Sequence, residues 1–519
     1  MFLKTLARAL VDPPLRAWRA QRAAALQKTA LRQWDKGDRD GALATLKRAA
    51  TLDPKSVAVR SFMAVAFVQR GATDLALDHL RVAHDLEPQN PDVLKLLVDT
   101  LVQTGRFQKA LTLCEAALRR DRRFYVAWKS LGFIYRRTHR AAQALACYEN
   151  AIALQPRDVE SIANRAIALQ DLGRLEDAVA GYEAALAIDP NYVLARFHRS
   201  LALLAKGNYA EGWRDYELRL VSSENPLPPP AAPRWDGSKL EGRSILVRGE
   251  QGIGDQIMFA SCLPQLIADA GSCTFECSPK LVSLFERSFP EARVRAGGAE
   301  DPRAPRPDFE VPLGSLASHY RRSAQDFPRH SGYLKADPVR TREWRSRLAA
   351  LGPGLKIGIS WRGGTAVSRV ALRSIPLEAW ERVFALPGVR FVSLQYTEGA
   401  ASELAALARN GGPDVTHWQE AIDDYDETAA LVAALDLTVS VCTSVVHLAG
   451  ALARPVWVLT PQAPEWRYGT RGEAMPWYPS ARLFRQERLG EWEPLLRRVA
   501  GELHALQQYS FGGAGATRR

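Results

Sequence analysis

A glycine recurs at Gly37, Gly71, Gly105, Gly173 and Gly207 on a 34-residue spacing, with His139 filling the one vacancy. Three further positions keep the same register. Five residues on from each turn stand Ala42, Ala76, Ala110, Ala144, Ala178 and Gly212, and four beyond those come Leu46, Leu80, Cys114, Tyr148, Tyr182 and Tyr216. Pro54, Pro88, Pro156 and Pro190 close four of the units, and Arg122 occupies the missing slot. A period of this length fits one pair of helices per unit, each unit burying its apolar face against the next. The glycine relaxes the sharp turn between paired helices. The small residue stands where two helix backbones approach closely, and the packing residue lies one turn further along the same face. The proline, lacking an amide proton, stops the second helix.

This pattern resembles the tetratricopeptide repeat (TPR), with six units over residues 23–226. The resemblance implies an all-α right-handed superhelix whose concave groove commonly receives extended peptides or helices of partner proteins. Arg136 and Arg137, in one first helix, either point into that groove or are ordinary solvated arginines. Residues 1–22 read as a basic helical segment, since positions 1–33 hold seven Lys or Arg against one acid. That segment caps the solenoid or makes at most a peripheral contact with an anionic membrane surface. Its apolar stretch is broken by Lys4, Arg8, Asp12 and Pro13-Pro14, unlike a signal-peptide core, and no run of about 18 apolar residues is present to span a bilayer.

At 519 residues the chain exceeds one hydrophobic core. Its cysteines, at 114, 147, 262, 273, 277 and 442, lack the dense spacing of a disulfide framework, so a reducing cytoplasmic setting is expected. Cys273 and Cys277 form a C-x-x-x-C without a second ligand pair, so no structural zinc is expected. The net charge of +12 comes from basic residues spread over all regions. With no basic stripe carrying interleaved aromatics, nucleic acid is not an expected partner.

The proline-rich stretch 221–235 makes a semi-rigid spacer. Beyond it short apolar runs begin at Ile245, Lys356, Phe391, Leu437 and Val456, separated by longer amphipathic segments. They read as strands of parallel βαβ layers in two halves, about 240–335 and 355–505, facing a cleft. Such a cleft can hold a nucleotide-linked donor at strand ends.

In the first half, ILVRGEQGIGDQIMF reads as a strand, a glycine turn at Gly252 and Gly254, and then Asp255 and Gln256 entering a helix. Asp255 there is either a carboxylate able to take a proton from an attacking hydroxyl, or an N-cap for free helix amides. The order G-x-x-G-x-G from Gly249 differs from the dinucleotide-binding fingerprint, although Glu276 falls near the place of its ribose-binding acid. In the second half, VCTSVVHLAGALARPVW places Thr443 and Ser444 at a helix start and His447 one turn in. They either meet a diphosphate or serve as a cap with a packed histidine. Arg362, Arg373 and Arg467 follow strand or loop signals and suit phosphate oxygens, with an ordinary surface position the alternative for one of the three; Trp361 and Trp466 either wall the pocket or pack in the core. The D-x-D at Asp424 and Asp426 is read as a helix start, not a metal site.

Together GEQGIGDQIMF, SWRGG, RSIPL, VCTSVVHLAGALARPVW and PEWRYG resemble bacterial TPR proteins whose C-terminal domain is similar to heptosyltransferases of glycosyltransferase family 9 and, more distantly, O-GlcNAc transferase. The resemblance implies a two-lobed GT-B (double Rossmann-like) domain, with an acceptor-side lobe over 227–340, a nucleotide-sugar lobe over 341–510 and a flexible tail over 511–519. It implies sugar transfer with inversion from a nucleotide-sugar substrate, without metal or other cofactor. Asp255 matches the family's general base, and Thr443, Ser444 and His447 match its donor segment. Cys442 departs from that pattern, standing where many members carry aspartate, and Ser368 with Arg369 falls where a basic residue is expected. The implied function is a glycosyltransferase acting on a hydroxyl, on a protein presented by the repeats. The rival is a binding scaffold with a degenerate domain.

Overall fold

The computed structural model describes residues 2–222, 227–230, 232–298, 306–364 and 370–512, with side chains for all of these but 2–14, 222 and 509–512. Ser368, Arg369, part of the proline-rich stretch and most of the expected tail lie outside the described residues. Contacts divide the chain into one unit of residues 1–171 with 184–190, and another of 172–183 with 191–519.

The first unit is helical. After α1 (Phe2–Asp35) come α2 (Arg39–Leu52), α3 (Val57–Gln69), α4 (Thr73–Leu86), α5 (Pro91–Gln103), α6 (Phe107–Arg120), α7 (Tyr125–Arg137), α8 (Ala141–Leu154) and α9 (Val159–Asp171). The periodic residues stand where the pattern places them. Gly37, Gly71 and Gly105 have φ of 84°, 72° and 71°, and His139 adopts the same left-handed turn at 60°. Ala42, Ala76, Ala110 and Ala144 are fully buried, as are Leu46, Leu80, Cys114 and Tyr148. One apolar core runs from Ala23 to Cys147. Arg137 is exposed, whereas Arg136 is half-buried beside the Tyr148 hydroxyl.

In the second unit α11 (Val193–Ala205), which follows α10 (Leu175–Ile188), and α12 (Tyr209–Tyr216) are succeeded by a short turn of helix, α13 (Arg219–Ser222). Gly212 takes the small-residue slot, and a methyl group there would stand 2.6 Å from Leu204 Cγ, so even alanine is too large. The last repeat packs tightly into the α/β region. Trp213 donates from its indole to the Arg321 carbonyl at 2.7 Å and meets Trp466 edge-on, with ring centroids 5.4 Å apart. Arg219, 4% exposed, pairs with Glu250 and lies against the Tyr216 ring.

Two sheets follow. Strands β1 (Ser244–Arg248), β2 (Ser272–Cys277), β3 (Arg293–Ala296) and β4 (Phe309–Pro312) make a parallel sheet of order β3-β2-β1-β4. Helices α14 (Ile253–Phe259), α15 (Leu263–Asp269), α16 (Val282–Ser288) and α17 (Ala317–Tyr320) accompany it. After α18 (Pro338–Ala350) come β5 (Leu355–Ser360), α19 (Glu381–Phe384), β6 (Val389–Ser393), α20 (Ala400–Arg409), α21 (Gln419–Asp423), α22 (Tyr425–Ala434), β7 (Leu437–Val441), α23 (Ser444–Ala451), β8 (Val456–Thr460), β9 (Ala474–Met475), β10 (Tyr478–Arg485) and α24 (Glu493–Gly512). The order is β6-β5-β7-β8-β10-β9, parallel except at the β9 edge. All five strands expected from apolar runs are present. The first sheet buries ionic groups as well: Arg248 bonds Glu276 at 3.0 Å and Glu310 at 3.1 Å, and Glu276 also bonds Arg295. Glu276, 4% exposed, is thus held inside the sheet instead of being offered to a ribose.

Candidate functional site

Strand ends define the site. In parallel sheets the loops after the carboxyl ends of strands gather at one edge, where helix N-termini also point. Here the loops after β1, β5, β6, β7 and β8 supply Asp255, Gly364, Tyr396, Thr443 and Arg467, which line one cavity of about 610 Å³.

One glycine lets segments of the two sheets meet, and another lets two loops of the six-stranded sheet close up. A methyl group on Gly254 would stand 3.0 Å from His447 Cδ2 and 3.3 Å from Ser444 Cα, so the first turn of α14 packs directly on the first turn of α23. One on Gly363 would stand 2.6 Å from the Cys442 carbonyl oxygen, fixing the loop after β5 against the end of β7. Beside Gly252, Gln251 adopts a left-handed φ of 61°, and its side chain meets the Tyr216 hydroxyl at 3.3 Å.

Asp255 is not the N-cap of α14. That position is Gly252, and Asp255, third in the helix, accepts weakly from the Gly252 amide at 3.4 Å through Oδ2. Its Oδ1 lies 2.7 Å from Arg467 Nη1, an ion contact without hydrogen-bond alignment. Thr443 does cap α23, its hydroxyl accepting from the Val445 amide at 3.3 Å, and Ser444 begins the helix. His447 is 2% exposed and its Nδ1 meets the Tyr478 hydroxyl at 3.0 Å. Burial, reinforced by the charges of Arg467 and Arg373, holds its imidazole well below the usual value, so the ring is neutral. Arg373 pairs with Glu465. Burial opposes the charge of Arg467, but Asp255 together with Tyr468, Tyr216 and Tyr478 more than offsets it and the pKa is raised. At Cys442 burial pushes the thiol up to about 11 despite the nearby arginines, so this position carries no charge at neutral pH.

Of the residues singled out in the sequence, Gly252, Gly254, Asp255, Arg373, Thr443, Ser444, His447 and Arg467 line this cavity. Four stand elsewhere. Trp361 is 1% exposed and donates to Glu403 at 2.7 Å within the core of the six-stranded sheet. Arg362 pairs with the same Glu403 at 2.8 Å. Gln256 accepts from the Ser278 amide at 2.8 Å, tying α14 to the end of β2. Trp466 packs among Trp213, Tyr216 and Trp477. In each case a large apolar ring or a nearby polar partner decides the position.

Sequence reasoning missed Lys280, Tyr396, Tyr425, Glu465 and Tyr468, which also line the cavity. Glu465 was legible, being the carboxylate inside the PEWRYG motif that supplies Arg467. Tyr468 stands in the same motif, whereas Lys280, Tyr396 and Tyr425 arrive from positions without a local signal. Asp424 caps α22 by accepting from the Asp426 amide, and Asp426 pairs with Arg287, which accounts for the D-x-D as a helix start. Among the described residues no cluster of His, Cys, Asp and Glu has the makings of a metal site, and all six cysteines are free and buried. No described helix is long and apolar enough to cross a membrane.

Three profiles of the tetratricopeptide repeat match residues 28–91, 67–131 and 131–206. The N-terminal region is therefore a TPR array, a kind of repeat that typically binds partner proteins or peptides. The chain is also 37% identical over 289 residues to Protein FlbA of Caulobacter vibrioides, covering 52% of this chain and 48% of that protein. It thus spans about half the length of the curated relative it matches. Among solved structures, a tetratricopeptide repeat protein from Parabacteroides merdae is similar at 19% identity and a TM-score of 0.33, covering 40% of this chain and 81% of that one. A thermophilic TPR protein from Thermus thermophilus is similar at 22% identity and a TM-score of 0.31, covering 35% and 99%.

Proposed function

We propose that the α/β region is a GT-B domain of the glycosyltransferase family 9 type and that the protein is an inverting, metal-independent glycosyltransferase of the cytosol. Its donor is a nucleotide sugar and its acceptor a hydroxyl on a protein recruited by the repeats. The observation that carries the reading is the convergence of Asp255, Thr443, His447, Arg373 and Arg467 on one cavity at the strand ends of two parallel sheets.

In this reading the diphosphate lies at the N-terminus of α23, where unpaired amides and the helix dipole favour negative charge. Arg373 and Arg467 bind its oxygens. Asp255 takes the proton of the acceptor hydroxyl as that oxygen attacks the anomeric carbon. The carbon–phosphate-oxygen bond breaks on the opposite face, and the nucleoside diphosphate leaves with the electron pair, its charge stabilised by the arginines.

The test is a thermal-shift and transfer assay with a panel of nucleotide sugars. A ligand at 100 times its Kd raises stability by about 2.7 kcal/mol. The wild-type chain is expected to shift and transfer; Thr443→Ala should lose the shift, and Asp255→Ala should keep it while losing transfer. A scaffold with a degenerate domain is the second reading, favoured by the uncharged Cys442 at the position where the family carries aspartate. No shift with any donor would select it.

A further inference from the structure

Among the described residues, both arginines that line the cavity, Arg373 and Arg467, already have an anion. Arg467 touches Asp255, and Arg373 touches Glu465. The four side chains are 12% to 21% exposed, so their charges are only partly screened by solvent. Both arginine fields converge on the buried His447 ring in the first turn of α23. The pairing is nevertheless incomplete. Among the described residues, Arg467 Nε and the second oxygen of Glu465 are buried without a hydrogen-bond partner. A guanidinium fork in this state retains donor capacity that a multivalent anion can use.

We infer that Glu465 and Asp255 are resident counter-ions, holding Arg373 and Arg467 until a diphosphate replaces them, so that arrival of the donor frees the Asp255 carboxylate for its work as base. The inference rests on the donor reading given above and adds to it a role for Glu465 and an order of events. A carboxylate oxygen held by a guanidinium is not at hand for an acceptor hydroxyl until that contact is exchanged. When phosphate oxygens take Arg467, that contact is exchanged for a new one, with no covalent bond made or broken. Asp255 then keeps its weak bond from the Gly252 amide, so its place in the first turn of α14 is retained. Glu465 touches no reacting atom in this scheme; it acts through Arg373 as a positioning residue.

The sign of a mutational effect tests the scheme. A carboxylate that merely braces the pocket supports binding, and its loss weakens affinity; a competing counter-ion does the reverse. Calorimetric titration of the full chain with inorganic pyrophosphate, and separately with each common nucleoside diphosphate, should be run with chelator present. Glu465→Gln and Asp255→Asn, both isosteric, are expected to bind about two- to fivefold more tightly than wild type, the range corresponding to loss of one partly exposed ion pair. Glu465→Asp should stay near wild type, and Arg467→Gln should bind at least about tenfold more weakly. The two neutral variants lie on different elements, so either one that keeps its near-ultraviolet circular dichroism suffices. If wild type binds a diphosphate and a folded neutral variant binds it no more tightly, the counter-ion scheme falls and the donor reading stands. If neither wild type nor variants bind pyrophosphate or any nucleoside diphosphate, the donor reading falls and takes the scheme with it.

Discussion

The repeat array and the α/β region solve the burial of their chains in opposite ways. In the first unit each structural residue serves one local turn or one helix pair, and its role recurs 34 residues later, as Gly37, Gly71 and Gly105 do. In the second, single residues join segments far apart: Arg248 reaches Glu276 and Glu310, while Gly254 sits against His447. Damage in a stack of nearest-neighbour contacts stays near its origin, whereas damage to a long-range network spreads through the sheet.

The largest effect expected is in the network. Glu276→Ala leaves Arg248 and Arg295 without a shared buried partner, and removing one member of a buried pair costs about 3–5 kcal/mol. Hydrogen exchange read by mass spectrometry should quicken across β1, β2 and β3 and stay unchanged in α3–α8. Equal quickening in the repeats would show that the damage does not stay within the sheet.

Next comes acid sensitivity. His447 has a pKa well below that of an unfolded histidine, so above about pH 6.5 both states are neutral and no penalty exists. Below it the unfolded chain binds a proton that the folded chain refuses, and stability falls by up to about 1.4 kcal/mol per pH unit until the folded value is reached. Denaturant titrations at pH 7 and 5.5 should show a smaller loss for His447→Gln than for wild type.

Smaller effects belong to the array. Gly71→Val forces a branched side chain into a left-handed turn and should destabilise the first unit by about 1–2 kcal/mol, seen as a lower midpoint in helical circular dichroism. At the vacancy in the pattern the change runs the other way. His139→Gly relieves the left-handed strain but loosens the unfolded chain, so a net gain of no more than about 1 kcal/mol is expected. A loss there would show that the histidine's own interactions outweigh its backbone cost.

The repeats were legible to the residue because their determinants lie within one helix turn or one repeat. Ala42, Leu46 and Gly37 are identified by recurrence, and each stands in the environment its slot requires. The cavity was legible in part. Asp255, Thr443 and His447 sit next to local strand-to-helix signals and do reach it. Trp361 and Arg362 carry the same kind of signal, but Glu403 on α20 draws both away.

Sequence by itself determined the repeat period, the tight turns of the repeats, the positions of five strands and the helix starts at Thr443 and Asp424, because each depends on propensities and contacts over a few residues. Tertiary structure alone decided that Lys280, Tyr396 and Tyr425 share a cavity with Asp255, that Gln256 and Trp466 do not line it, and that Glu276 is locked inside a sheet. Those choices are competitions among partners brought together from distant segments, and no single segment contains both competitors.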